Sequence, residues 1–493
     1  TMKQIPTVFG ETDVLKAVLT LPGVKSVGEA STGFNVRGGA ADQNLILFNG
    51  STVYNPAHFF GFFSAFNPEV IKDVQLYKSS IPAKYGGRLS SVLDITSRDG
   101  NKKNLSGSAG IGPVTSRVNV EGPLFGDSSS SFVLGVRATY ANWLLKLLPA
   151  EYEKSKAAFY DVVFHTMHEL DKKNSLYLTA YVSNDRFNLN NDTTYGYSNR
   201  NFNVQWKHIF NNKISNLVSA GYDFYKYDIR SDAIKVNAYD LQFNIKQFNL
   251  RSDATYNLGP KHTLQFGLNS IFYKLNPGMY KPLGTESLVK TNIVRAEQAL
   301  ETALYLGDTY KLTKNFSADY AIRYSIYQFL GPQSVTSYAA GLPRSESSAT
   351  GVKTYKGGAF VQTYGGPEYR FSLRYLVSSG FSIKAGVNSL RQYIHMLSNT
   401  TAIAPTDIWK LSDPNIKPQQ GNQFSIGFYK NNRANTIETS IEVYYKEMKH
   451  YLDYKSGAVL VMNHTIETDV INTKGKAYGV EFLLKKTAGK LNG

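Results

Sequence analysis

The chain has 493 residues, a formal net charge of +16, no cysteine, and 34 tyrosines against 3 tryptophans. Without cysteine it can form no disulfide, thiolate nucleophile or cysteine metal site. It contains no apolar run long enough to be a membrane-spanning helix. The 54 lysines and arginines are scattered along the chain without a nucleic-acid-binding motif, so the sequence argues against a nucleic-acid partner.

Residues 1–100 predict a small mixed α/β domain with many glycine turns. A short amphipathic helix is expected to begin at Thr12 or Asp13 and to end at Pro22-Gly23. An aromatic segment, Tyr54–Phe63, predicts a loop or a short helix. Strands are predicted at Phe34–Arg37, Leu45–Phe48, Val74–Tyr77 and Ser91–Thr96.

From about residue 105 onward the chain alternates apolar and polar residues, as in Ile437–Tyr445. We count about 15 or 16 such segments, each near the roughly 9–11 residues that a strand needs to cross a bilayer. Short polar turns such as Asn211-Asn212-Lys213 are interspersed with long polar stretches such as Gly331–Gly366. This pattern is typical of a transmembrane β-barrel. A soluble β-sandwich also alternates, but it would need a second sheet to cover each apolar face.

The alternation also predicts which side chains face lipid and which face the barrel lumen. A charge on the lipid face is unfavourable at mid-membrane, so the apolar set should point outward. The outward set is Phe381, Ile383, Val387, Ile437, Ile441 and Val443, and the lumen set is Lys384, Asn388, Glu438 and Glu442.

Several motifs, in this order, resemble the TonB-dependent outer-membrane receptors of Gram-negative bacteria. The sequences Phe34–Gly39 and Asn44–Gly50 are similar to the central strands of that family's plug domain, and Tyr85–Ile95 is similar to the plug's last loop and strand. Asp413–Gln419 resembles a motif that precedes a late barrel strand. Asn49 departs from the family, which commonly carries an acidic residue before this glycine.

The resemblance implies a membrane all-β fold: a large antiparallel transmembrane β-barrel with a small N-terminal α/β plug domain in its lumen. The expected boundaries are residues 1–104 for the plug and residues 105–493 for the barrel. Family barrels have 22 strands, so we expect this chain to be truncated at both ends, without the TonB box and the C-terminal strands. The expected location is the cell outer membrane.

The resemblance further implies active import of a scarce external solute through the plugged barrel, energised by the TonB complex. The expected partners are this complex, outer-membrane lipid or lipopolysaccharide, the solute and a surface lipoprotein. The alternatives are a passive porin-like channel and a secreted soluble β-sheet adhesin or binding protein. A siderophore, a vitamin, an oligosaccharide and a peptide all remain open as substrates.

No catalytic or metal-binding constellation is found, so we expect no enzyme activity and no cofactor. His165 and His168 lie in one alternating strand and should face opposite sides.

Two sets of residues are candidates for binding and gating. Within the aromatic segment, Tyr54, His58, Phe59 and Phe60 could contact substrate at the outward apex of the plug, or could wedge the plug against the barrel wall. Arg37 and Arg88 are expected to pair with carboxylates between plug and barrel, rather than to bind a ligand.

Overall fold

The computed structural model describes residues 12–26, 28, 33–126, 128–140, 142–146, 154–189, 192–398, 407–432, 434–486 and 488. Two short α-helices lie within these ranges, α1 (Val14–Leu19) and α2 (Asn142–Leu145). No helix of the described residues is long and apolar enough to cross a membrane.

The N-terminal domain is built on a mixed four-stranded sheet. Its helix α1 begins as predicted, because the Asp13 side chain accepts a hydrogen bond from the Lys16 backbone N–H at 2.9 Å. Within its described residues the strands are β1 (Val24–Ser26), β2 (Phe34–Val36), β3 (Asn44–Phe48), β4 (Ser51–Thr52), β5 (Ala57–His58), β6 (Phe63–Ser64), β7 (Ile71–Tyr77) and β8 (Ser91–Ser97). The sheet order is β4-β3-β8-β7, with β3 and β8 parallel. The central strand β3 is buried along its whole length, which accounts for its continuous apolar run.

The described residues from 106 onward are almost entirely antiparallel strand. In chain order these strands are β9 (Ser106–Ile111), β10 (Thr115–Gly122), β11 (Ser130–Thr139), β12 (Lys156–Glu169), β13 (Asn174–Leu189), β14 (Thr193–Ile209), β15 (Ile214–Ser231), β16 (Tyr239–Asn257), β17 (His262–Pro282), β18 (Asn292–Ile293), β19 (Glu297–Lys311), β20 (Phe316–Leu330), β21 (Gln333–Tyr338), β22 (Ala349–Tyr355), β23 (Phe360–Ser378), β24 (Phe381–Gln392), β25 (Ile394–Leu397), β26 (Ile408–Leu411), β27 (Gln419–Asn431), β28 (Ile437–Tyr454) and β29 (Val470–Lys486).

Seventeen of these strands follow one another around the barrel. Sixteen of them remain when the two-residue strand β18 is left out. Antiparallel registers join each consecutive pair of the sixteen from β9 to β29, so the predicted meander is confirmed. The pairs β21–β22 and β25–β26 are separate hairpins inserted in two long connections.

The two ends of the barrel differ in the length of their connections. Short connections at one end include 170–173, 210–213, 258–261 and 312–315, and the opposite end carries the long connections 283–296, 331–359, 393–418 and 455–469. This asymmetry matches outer-membrane barrels, whose periplasmic turns are short and whose external loops are long. We therefore name the two ends the short-turn end and the long-loop end.

The predicted faces agree with the structure. Ile437, Ile441 and Val443 are exposed on the outside, whereas Glu442 is buried against the N-terminal domain. In β24, Asn388 is buried and Gly386 faces Ser80 of the N-terminal domain, which places Lys384 on the same inner face. The two predicted histidines also separate, since His165 bonds to Thr179 inside and His168 contacts Phe125 outside.

The N-terminal domain lies inside the barrel as a plug. Its hydrogen bonds and ion pairs reach strands on all sides of the lumen. They include Asn67 to Asn119 on β10, Arg137 on β11 to Ser64, Asn201 on β14 to Thr52, Arg370 on β23 to Tyr85, Gln423 on β27 to Lys78, and Arg37 to Glu481 on β29.

A lysine on the lipid face should destabilise the barrel according to its depth. Val443 is the seventh residue of β28, counted from Ile437, and is exposed on the outer face. We expect Val443→Lys to lower the free energy of unfolding by about 2–4 kcal/mol in lipid vesicles, because the charge enters hydrocarbon. The matched control is Thr439→Lys, on the same face near the short-turn end, with an expected cost of about 0–1 kcal/mol. Equal costs, measured by urea titration, would contradict the assignment of this face to lipid.

Candidate functional site

A buried charge cluster around Arg37 joins the plug to strands β28 and β29 of the barrel. Arg37 Nε lies 2.8 Å from Glu481 Oε1, and Nη2 lies 3.0 Å from Glu481 Oε2. The same guanidinium contacts Glu442 and lies over the Tyr444 ring, with Cζ 5.1 Å from the ring centroid. Lys78 of the plug adds a second cation, with Nζ 2.7 Å from Glu481 Oε2. The expected carboxylate partners of Arg37 are therefore Glu442 and Glu481.

The local backbone explains how Arg37 reaches the wall. Arg37 has φ 50° and Gly38 has φ 69°, so the chain leaves β2 through two left-handed residues. Gly38 is required here, because a Cβ atom would lie 2.6 Å from Ala477 Cβ on β29. The close approach of plug and wall at this turn lets the guanidinium reach both carboxylates.

Arg88 does not form the ion pair with a barrel carboxylate that the sequence led us to expect among the described residues. It is buried, but among the described residues no carboxylate lies within ion-pair distance of it. Its Nη1 donates to the Gly87 carbonyl at 2.8 Å, and its guanidinium lies 5.6 Å from the centroid of the Trp409 ring. Gly87 has φ 77°, and this turn directs the arginine back onto its own loop and the aromatic ring.

The loop that carries Arg88 is held by arginines of the barrel instead. Arg370 Nη2 donates to the Tyr85 carbonyl at 2.6 Å, and Nη1 donates to the Pro82 carbonyl at 2.8 Å. Arg323 packs so closely on Gly86 that a Cβ atom there would lie 2.5 Å from its Nε. Glu368 lies beside both barrel arginines. These barrel residues were not identified from the sequence.

The aromatic segment of the plug is wedged against the wall. His58 is fully buried, with Nδ1 2.6 Å from Asp185 Oδ2 and Nε2 3.3 Å from Asp161 Oδ2. Its ring stacks on Phe159 at 4.1 Å, and the Phe59 N–H donates to Asp185 Oδ1 at 3.2 Å. The side chain of Phe60 lies outside the described residues. This packing corresponds to the wedging alternative for His58 and Phe59.

The wedge is also a charge cluster. Arg137 Nε lies 2.7 Å from the same Asp161 oxygen that faces His58. Burial lowers the pKa of His58, but the carboxylates of Asp185 and Asp161 outweigh it and raise that pKa above its usual value. The protonated imidazole can therefore link two carboxylates of the wall.

The wedge should give the docked plug a pH dependence. Because the pKa of His58 is higher in the folded than in the unfolded protein, protonated His58 stabilises the folded state. This stabilisation is fully present below the pKa of His58 in the unfolded chain, and it is lost as the pH rises through the pKa in the folded protein. We expect the difference in thermal midpoint between the wild type and His58→Gln to be larger at about pH 5.5 than at about pH 9. The control His168→Gln, on the outer face, should show no such change. If the difference in thermal midpoint between the wild type and His58→Gln grew with pH, protonated His58 would not be what links Asp185 and Asp161.

A hairpin from the long-loop end folds inward over the plug. It is formed by β25 and β26, and the residues 399–406 between them lie outside the described part of the chain. Trp409 contacts Tyr54 at 5.2 Å between ring centroids, and the Tyr54 hydroxyl donates to Gln247 at 2.5 Å. Asp42 of the plug accepts from Gln392 at 2.9 Å and from the Met396 N–H at 3.2 Å. Tyr54 is therefore covered by this hairpin.

A buried lysine fixes the hairpin to the barrel. Lys410 Nζ lies 2.8 Å from Glu297 Oε1 and 2.5 Å from Asp413 Oδ2. Asp413 begins the Asp413–Gln419 motif, and its carboxylate also accepts from the Ile416 N–H at 2.8 Å. This motif therefore shapes the return from the hairpin into β27.

A cavity of about 700 Å³ lies between the plug and the inner face of β28. It is bounded by Arg37, Gly38 and Asp42 on the plug side and by Tyr444, Tyr451 and Tyr454 on the wall. Its volume lies within the roughly 300–1,000 Å³ of small-molecule sites. No group of three or more metal-ligating side chains is found in the part of the chain that the structure describes.

Comparison with known proteins agrees with this architecture. Residues 152–491 match the family model "TonB dependent receptor-like, beta-barrel", and residues 1–91 match "TonB-dependent Receptor Plug Domain". No curated protein matches the chain.

Similar solved structures share the fold at low sequence identity. A structure described as the copper transporter OprC has a TM-score of 0.70 at 11% identity. The match covers 99% of this chain and 76% of that structure. The siderophore receptor PirA from Acinetobacter baumannii has a TM-score of 0.65 at 14% identity, with 99% of this chain covering 77% of it. The FrpB iron transporter from Neisseria meningitidis (F3-3 variant) has a TM-score of 0.67 at 14% identity, with 97% of this chain covering 75% of it. With its plug and its barrel both matched, this chain is an outer-membrane protein that belongs to the TonB-dependent receptors.

Proposed function

We propose that the chain binds a scarce external solute and imports it when the TonB complex displaces the plug. Its chemistry is binding and gating, without making or breaking covalent bonds in the solute. The observation that carries this proposal is the Arg37 cluster, in which one plug guanidinium is held by two buried carboxylates of the wall. A buried pair of this kind is strongly unfavourable to break by removing one partner, so it can hold the plug until a force is applied.

The cavity beside β28 supports the same function. Tyr444 lines this cavity and also lies under the Arg37 guanidinium. A solute held there would therefore touch the aromatic ring that contacts the plug cation. The Trp409 hairpin covers Tyr54 from the long-loop end, so Tyr54 becomes a solute contact only when the hairpin moves. A passive porin is not favoured, because the plug bonds to the wall on all sides of the lumen.

A disulfide between plug and wall tests whether plug movement is required. A Cβ atom on Gly421 of β27 would lie 3.6 Å from Leu89 Cβ of the plug, within the roughly 3.5–4.5 Å of a disulfide. The chain has no cysteine of its own, so the pair Leu89→Cys and Gly421→Cys would be the only thiols in it. Full-length protein carrying this pair is expressed in energised cells, and mass spectrometry follows which solutes are depleted from the growth medium.

We expect at least one solute to be depleted by the wild type and by the reduced variant, but not by the oxidised variant. The matched control is a pair within the wall, Ser372→Cys and Gly386→Cys, whose Cβ atoms would also lie 3.6 Å apart. Its oxidation should leave uptake unchanged. Uptake that continues when the oxidised cysteine pair holds the plug to the wall, or that continues in cells without TonB, would favour the porin alternative.

A further inference from the structure

The hairpin formed by β25 and β26 lies in the lumen as an inserted piece of polypeptide. Its two strands pair with each other and belong to neither the barrel sheet nor the plug sheet. Both strands are almost entirely buried. Buried backbone N–H and C=O groups need hydrogen-bond partners, and pairing within the hairpin serves only one edge of each strand. The partners of its remaining backbone groups therefore show what the lumen offers to a polypeptide.

Three side chains of the wall bind the backbone just after Lys410. Glu297 Oε2 accepts from the Leu411 N–H at 2.9 Å. The Tyr327 hydroxyl donates to the carbonyl of the next residue at 2.7 Å, and the Tyr364 hydroxyl donates to the carbonyl after that at 2.8 Å. The three side chains come from the neighbouring strands β19, β20 and β23, near the long-loop end. We call these three side chains the backbone clamp.

The other strand of the hairpin is held in the same manner. Asp42 Oδ2 of the plug accepts from the Met396 N–H at 3.2 Å, and the Tyr454 hydroxyl of β28 accepts from the Ser398 N–H at 3.0 Å. Plug and wall thus present both donors and acceptors to main-chain amides. Main-chain hydrogen bonds of this kind give affinity for an extended peptide whatever its sequence.

The clamp also selects a charge. Glu297 is buried, and its Oε1 lies 2.8 Å from Lys410 Nζ, which in turn lies 5.7 Å from the centroid of the Phe329 ring. Among the described residues Lys410 is the only cation within ion-pair distance of Glu297. If the hairpin left the lumen, Glu297 would lose this cation, and a buried charge without a partner is strongly unfavourable. A solute that takes the place of the hairpin therefore has to bring a cation of its own.

Two further features make room for such a solute. The Trp409 side chain occupies an aromatic slot, where it contacts the Tyr54 ring and the Arg88 guanidinium. The cavity of about 700 Å³ beside β28 ends against Met396 and Ser398 of the hairpin. Withdrawal of the hairpin would therefore join this cavity to the backbone clamp and open the slot between them.

We propose that the imported solute is a peptide with a basic side chain, which binds the backbone clamp in place of the hairpin and sets its cation on Glu297. This inference rests on the import function proposed above and adds the chemical class of the solute. An oligosaccharide can cover the aromatic surface, but it brings no cation for Glu297. A polyamine brings the cation, but it has no carbonyl groups for Tyr327 and Tyr364.

The test uses a probe that the lumen already binds as part of the chain, a blocked hexapeptide with the sequence of residues 408–413. Isothermal titration calorimetry in detergent measures its binding to full-length protein in which residues 394–413 are replaced by a glycine–serine linker of equal length. The comparison probes are the same peptide with glutamine in place of lysine, spermidine and maltohexaose. Heat-modifiable gel mobility checks that the barrel is folded.

We expect the lysine peptide to bind about a hundredfold more tightly than the glutamine peptide, because the latter leaves the buried carboxylate unpaired. Glu297→Gln should abolish this preference. Tyr327→Phe combined with Tyr364→Phe should weaken both peptides about tenfold, through two lost hydrogen bonds. The matched controls are Glu346→Gln in an exposed loop and Tyr324→Phe on the outer face of β20, and both should leave binding unchanged.

A second variant keeps the hairpin and so does not depend on the linker. Lys410→Gln weakens the internal competitor, because Glu297 loses its cation while the hairpin is docked. We expect the lysine peptide to bind this variant about tenfold more tightly than it binds the wild type. Equal binding to the two proteins would overturn the proposal.

The peptide assignment would also be overturned if the glutamine peptide, spermidine or maltohexaose bound the linker variant as tightly as the lysine peptide. Calorimetry needs no TonB complex, so its result is separate from that of import. Peptide binding without uptake of labelled peptide by energised cells would contradict the import function and leave the site in place. Depletion of another solute from the growth medium, without peptide binding, would overturn the peptide assignment and leave import in place.

Discussion

Deleting residues 1–100 from the full-length protein is expected to turn a closed barrel into a conducting pore. The plug bonds to wall residues on all sides of the lumen, among them Asn119, Asn201 and Arg370. Without it, these inward-facing polar side chains would line a water-filled channel, as in large barrels generally. Planar-bilayer recording should show no steady conductance for the intact protein and a large, steady conductance for the deletion variant.

The oxidised Leu89→Cys and Gly421→Cys variant serves as the matched control, and it should stay closed even under denaturant. The inward-folded hairpin between β24 and β27 remains in the deletion variant, so some residual obstruction is expected at the long-loop end. Large conductance from the intact protein, equal to that of the deletion variant, would mean that the N-terminal domain does not block the lumen. The gating proposal would then fail.

Replacing Arg37 by alanine should weaken plug docking more than any surface change. The substitution leaves Glu442 buried without a cation, and Glu481 with only Lys78. Removing one partner of a buried ion pair costs about 3–5 kcal/mol. We expect a lower thermal midpoint for the plug and an increased rate of proteolysis within it.

The control is Arg98→Ala, which breaks a plug–barrel pair with Glu121 at 3.1 Å that is partly exposed. Its expected cost is about 0–1 kcal/mol. A triple variant, Arg37→Ala with Glu442→Gln and Glu481→Gln, should recover much of the loss, because no unpaired buried charge remains. If Arg37→Ala and Arg98→Ala proved equally mild, the Arg37 cluster would not be what holds the plug.

Local signals in the sequence predicted the elements well. Asp13 caps α1, the apolar run in β3 is buried on both faces, and the alternation in β28 puts Ile441 outside and Glu442 inside. Each of these three features is set by residues close to one another in the sequence, and over that range the helix repeat of 3.6 residues and the strand repeat of 2 residues predict which way side chains point.

Contacts between distant segments could not be predicted in this way. Arg37 and Glu481 are 444 residues apart, and His58 and Asp185 are 127 apart. Arg88 carried the same signal as Arg37, yet the turn at Gly87 brings it to Trp409 of the hairpin. The strand pairing, once known, would have indicated a cation at this site. Glu442 and Glu481 lie opposite each other on the lumen face, and two like charges in that arrangement require a cation between them.

The position of the Arg37 partners along the chain sets an order of assembly. The plug is made before the wall, but its guanidinium meets carboxylates on β28 and β29, more than four hundred residues further along the chain. Contacts of such high sequence separation form late, because the intervening chain must first be ordered. During biogenesis the plug therefore stays loosely held until β28 and β29 have paired, and the Arg37 cluster then fastens it to the wall.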